Sequence, residues 1–196
     1  VPENKAPIYL FIQKKVTAER SIRSKEILDF FLMDVPGSKY GDDKTAVANK
    51  MGDSGAIILL LTGAHRDADN LQNNQKPGQE LYEAETPVMG DDWYMTQVSE
   101  HRDAGFEEII HMVQDKGIGA TIEDGALEAY EDEIIAAVAA HAASGMLTLR
   151  PGFDSDSQEY YASIIDGYYG LRDAVGRRRG FGGYTYNTRP EVIAND

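Results

Sequence analysis

The longest apolar run in the chain is Ala56-Ile57-Ile58-Leu59-Leu60-Leu61. It falls far short of the ~20 apolar residues that cross a bilayer. Its length and composition are those of a buried β-strand. The segment "APIYLFIQKKV", residues 6–16, is rich in aromatic and β-branched residues and reads as a second strand. A weakly alternating segment, "QELYEAETP" at residues 79–87, is expected at a sheet edge.

The rest of the chain reads mostly as helix. Residues 18–34, "AERSIRSKEILDFFLMD", place Ile22, Ile27, Phe30 and Phe31 at roughly helical spacing, and Pro36-Gly37 ends the run. "DDKTAVANKM" suggests a short second helix closed by Gly52. Further helices are expected from Asp103 to Lys116, within residues 123–145, and over residues 157–175. The Gly- and Arg-rich tail, residues 176–196, is expected to lie over the surface. The predicted fold class is α+β, a small sheet packed against helices on one face. A length of 196 residues suits a single domain, 1–196. Its parts are a strand/helix front half (1–92), a motif-bearing helical half (93–175) and the surface tail (176–196).

Charge narrows the partners. A formal net charge of -14 and a pI near 4.6 repel nucleic acid and anionic lipid. The expected partner is therefore a peptide or protein, with no nucleic acid and no membrane insertion. The chain has no cysteine, so a transition-metal site must be built from His, Asp and Glu. It begins "VPENKAP", as a trimmed precursor would, and export to a periplasmic or extracellular space is the corresponding expectation.

The chemistry centres on "HRDAGFEEIIHMVQDKGIG", residues 101–119. Glu107-Glu108-Ile109-Ile110-His111 differs by one residue from H-E-x-x-H, the helical zinc motif of many peptidases. At about 100° per residue, Glu107 and His111 lie ~40° apart on one helical stripe and Glu108 flanks it. Two side chains one turn apart can grip one ion. The flanking glutamate holds the place of the general base in such sites. The same pattern also arises on the solvated face of any amphipathic helix, where Glu is the default residue. A ferritin-like di-iron reading needs a second E-x-x-H, which the sequence lacks.

A third donor is needed. Glu159 stands at the start of the helix in "SDSQEYYASIIDGYYG", where the helix dipole favours a carboxylate, and Asp166 follows on the same face two turns later. Glu159-Tyr160-Tyr161-Ala162 resembles the glutamate helix of gluzincin metallopeptidases of the anthrax lethal factor and Pro-Pro endopeptidase type. Phe106-Glu-Glu-Ile-Ile-His-Met-Val113 is similar to their active-site helix, with Glu107 in place of the first His. The order of active-site helix, intervening helix and glutamate helix also agrees. Within Trp93 to Arg172, this resemblance implies a zincin-like site. It makes Glu107, His111 and Glu159 ligands to one divalent metal, with Glu108 as catalytic base.

Zinc is the expected metal, and the extra carboxylate brings Mn, Fe and Ca into range. The implied function is metal-dependent peptide hydrolysis of reduced activity. The alternative is an inactive relative of that fold that binds protein or peptide through the old cleft.

Other residues carry weaker signals. His101 suits a helix entry or a fourth ligand. Asp103 suits either an orienter of His111 or a partner of the helix N-terminus. Tyr130, Tyr168 and Tyr169 are available to stabilise an oxyanion, with packing the plainer role for each. His141 suits a helix C-terminus. His65, "HRDADN" and Gly41-Asp42-Asp43 give only faint hints of a site.

Overall fold

The computed structural model describes residues 6–64, 77–91, 103–145, 156–171 and 184–196. Within them, three parallel strands form one sheet in the order β1-β2-β3. These are β1 (Tyr9–Ile12), β2 (Ile57–Leu61) and β3 (Gln79–Tyr82). Six α-helices accompany it among the described residues: α1 (Ala18–Leu32), α2 (Thr45–Asp53), α3 (Gly105–Val113), α4 (Glu128–Ser144), α5 (Asp156–Tyr168) and α6 (Arg189–Asn195). The fold is α+β with a small sheet.

The apolar run becomes the central strand. Its alternate residues face opposite ways. Ile58 and Leu60 enter the main core with Ile27, Phe31, Val47, Met51, Ile109 and Met112. Leu59 and Leu61 join Tyr82 in a smaller cluster. The helices thus cover one face, and β1 leaves Tyr9 and Phe11 exposed as a stacked pair on the edge strand.

Several local expectations are corrected. Ile22 is 56% exposed, because it sits about 140° round the helix from Ile27. The buried stripe of α1 runs Ser24, Ile27, Phe31, and the small Ser24 returns its hydroxyl to the Arg20 carbonyl. Gly52 does not close α2; it lies inside the helix, and Ser54 is the C-cap. A Cβ at Gly52 would stand 1.9 Å from the Ala6 carbonyl oxygen, so the glycine lets the chain before β1 cross the helix. Residues 123–127 precede α4 rather than forming its first turn.

The described part of the tail, residues 184–196, is mostly exposed or half-buried, with two buried anchors. It contains α6, opened by a Thr188/Glu191 capping box with Pro190 in the first turn. Tyr184 and Val192 are buried with Ile134, Val138 and Tyr160 in a second cluster.

Candidate metal centre

The site is built where α3 crosses α5. The entry of α3 is fixed by charge and hydrogen bonding. Asp103 is 1% exposed; its carboxylate accepts from the Gly105 amide at 3.0 Å and pairs with Arg23 of α1. Of the two roles open to Asp103, the structure shows the partner of the helix N-terminus. Arg20, one turn before Arg23, donates to the Glu83 carbonyl at 3.2 Å and to Asp91 at 2.9 Å. Helix α1 therefore pins both the turn after β3 and the start of the motif helix.

Apolar residues then hold the roll of α3. Ile109, Ile110, Met112 and Val113 are each at most 3% exposed. The helix has only one orientation that buries them, and that orientation turns Glu107 and His111 toward α5. At its far end the helix widens into a single π-turn, Gln114–Ile118, which carries it two residues past the expected end at Lys116 before Gly119 caps it. The Gln114 side-chain amide donates to Glu131 of α4 at 2.8 Å in a buried link.

Glu107, His111 and Glu159 come together. One ligand atom from each lies within 4.8 Å of the others. His111 Nε2 is 4.0 Å from Glu107 Oε1 and 3.9 Å from Glu159 Oε1. Side-chain exposure is 2% for Glu107, 12% for His111 and 19% for Glu159, so the cluster opens to solvent on the Glu159 side. Four donors at ~2.1 Å in tetrahedral array around zinc are about 3.4 Å apart. The two spacings to His111 are about half an ångström wider, and the two carboxylates lie within 4.8 Å of each other, so side-chain rotation would have to close the set around an ion. The donor chemistry also fits. A single imidazolium offsets one of two converging carboxylates, whereas a divalent cation offsets both.

Glu108, the residue after Glu107, is partly buried, and its carboxylate accepts from the Gln79 side-chain amide at 2.5 Å. Gln79 opens β3, and sequence reasoning missed it. A polar residue on a weakly alternating strand carries no signal of its contact with a helix 29 positions away. Tyr82, at the other end of β3, belongs to the same neighbourhood. Burial first, then its bond to Glu80, pushes its phenol far up, and the Glu85 and Glu108 carboxylates add to the effect.

The other candidates separate from the cluster. Tyr130 stacks against Tyr40 at 4.8 Å and shares a hydrogen bond with Tyr161. Tyr168 lies under the Arg189 guanidinium, and Tyr169 packs on Phe30 and Phe106. All three have packing roles. His141 lies at the end of α4, with Nδ1 2.9 Å from the Ala137 carbonyl and Nε2 3.7 Å from Asp196. Asp42 and Asp43 accept from the backbone amides of Gly37 and Thr45, which makes them turn and helix-entry residues. His65, His101 and "HRDADN" lie outside the described residues.

Compared with protein-family models, curated proteins and solved structures, the chain matches none. Among the described residues, no helix is long and apolar enough to cross a membrane.

Proposed function

We propose that this protein is a metal-dependent peptidase of gluzincin-like design, with Glu107, His111 and Glu159 holding one divalent cation. A single observation carries the reading. Two helices separated by more than forty residues of chain deliver two carboxylates and an imidazole to one point within 4.8 Å. Side chains placed only to be solvated have no reason to converge there with Glu107 almost fully buried.

A bound divalent cation supplies a Lewis acid that acidifies water and polarises a carbonyl. The chain's own residues do the rest. Glu108 takes the proton of the attacking water and returns it to the leaving amine. Gln79, donating to one carboxylate oxygen, holds the side chain of Glu108 in place. Glu107 in place of histidine makes the donor set harder and more anionic, which weakens the Lewis acid and lowers turnover. The second reading, a non-catalytic peptide-binding relative, draws its support from that same replacement.

The test begins with metal content of protein purified without chelator, followed by turnover on an unbiased peptide mixture. One equivalent of metal is expected. Glu108→Gln is expected to keep the metal and lose about 10²–10⁴-fold in turnover. Metal binding with no turnover in either protein selects the binding-module reading. Unchanged turnover in Glu108→Gln removes Glu108 from the mechanism.

A further inference from the structure

A large cavity stands apart from the acidic cluster. It has a volume of about 370 Å³ and is walled mainly by carbon, from Phe31, Val47, Ile110, Val113, Ile118 and Leu127. That size falls in the ~300–1,000 Å³ range of small-molecule sites. On α3, Val113 follows His111 by two residues, and on α5, Tyr161 follows Glu159 by two. Two helical steps turn a side chain by about 200°. Each helix therefore presents the acidic cluster on one face and the cavity on the other.

The polar groups lining the cavity are few, and they offer protons. Lys44 Nζ donates to the Phe31 carbonyl at 2.9 Å, which uses one of the three donors of an ammonium. Ser38 Oγ accepts from the Gly41 amide at 2.9 Å and keeps its own proton to give. The Tyr130 and Tyr161 hydroxyls lie 3.1 Å apart; whichever donates, one phenol proton is left over. Lys39 is already engaged by Glu133.

An apolar chamber with a cation and hydroxyl donors along its wall calls for a ligand with an apolar body and an acceptor head. The net charge of -14 favours a singly charged head over a phosphate, which the protein's field repels more strongly. We infer that this cavity binds a small amphipathic monocarboxylate, its hydrocarbon body among Val47, Ile110 and Val113 and its carboxylate on Lys44.

The experiment is calorimetric titration of the full chain with octanoate and, as the uncharged match, octanol. Lys44→Met and Val47→Phe are run beside the native protein, each checked for native circular dichroism. Octanoate is expected to bind one equivalent. Lys44→Met is expected to weaken octanoate about tenfold, the scale of one charge-assisted hydrogen bond, while octanol stays within about twofold. Val47→Phe fills the chamber and weakens both. Glu159→Gln changes neither, which separates this site from the proposed metal centre.

No saturable octanoate binding, or octanoate and octanol affinities that respond alike to Lys44→Met, overturns the inference and leaves a packing void. If Val47→Phe does not fold, the methyl resonances of Val47, Ile110 and Val113 in the native protein decide the location. They shift on adding octanoate if the ligand sits among them, and unmoved methyls reject the site.

Discussion

Asp103 shows how much of the site depends on one buried charge. Its carboxylate holds the first free amide of α3 and the guanidinium of Arg23 together. Asp103→Ala removes both contacts. We expect a loss of about 1.5–3 kcal/mol, the range for hydrogen bonds to charged groups, measured by denaturant unfolding. Asp103→Asn, which keeps the amide contact, should lose less. Equal losses would mean that the amide contact contributes nothing.

Asp115, in the π-turn, gives a pH signature. Burial is the chief cause that raises its carboxyl above the ordinary value, and it outweighs the lowering by Lys116, Thr121 and Gln158. Between the unfolded and folded values the native state binds more protons than the unfolded state, so stability falls as pH rises through that window. Asp115→Asn removes the cost of the buried charge. Its melting temperature is expected to exceed that of the native protein at neutral pH and to match it near pH 3, below both values. A constant difference at both pH values would contradict this account of Asp115.

At the scale of elements, α3 is positioned by what crosses its ends. The π-turn packs against α2 where Gly117 sits: a Cβ there would stand 2.7 Å from Val47 Cγ1 and 2.8 Å from Met51 Cγ. Gly117→Ala is expected to destabilise by about 1–3 kcal/mol, the usual cost of overpacking, although alanine is the better helix former. A stabilised variant would show that α2 and the turn are not in close contact.

The existence of α1, α3, α4 and α5 was legible because each carries a strong apolar period or a clear terminator. The π-turn was not, since the same residues satisfy an ordinary helix pattern and only packing against α2 selects the wider turn. The Thr188-x-x-Glu191 box with Pro190 did mark the start of α6 in the sequence. The glycine and arginine content before it masked that signal.

At the scale of the whole molecule, the buried strand at residues 57–61 fixed the organising element, and the α+β class followed from what surrounds it. Strand order and parallel pairing depend on contacts between residues far apart in sequence, as in Leu60 beside Leu81, and no local pattern encodes them. The convergence at the acidic cluster was legible as a stripe on α3, through the spacing of Glu107 and His111. The donation from Gln79 to Glu108 was not, because it depends on how β3 lies against α3.

The central claim concerns one ion shared between α3 and α5. Crystals of the full chain grown with zinc or manganese, measured at the metal's absorption edge, test it most directly. The account predicts one anomalous peak within about 2.0–2.2 Å of oxygen atoms of Glu107 and Glu159 and of a ring nitrogen of His111. An anomalous map without a peak among these three side chains, or with metal bound only elsewhere, would contradict it.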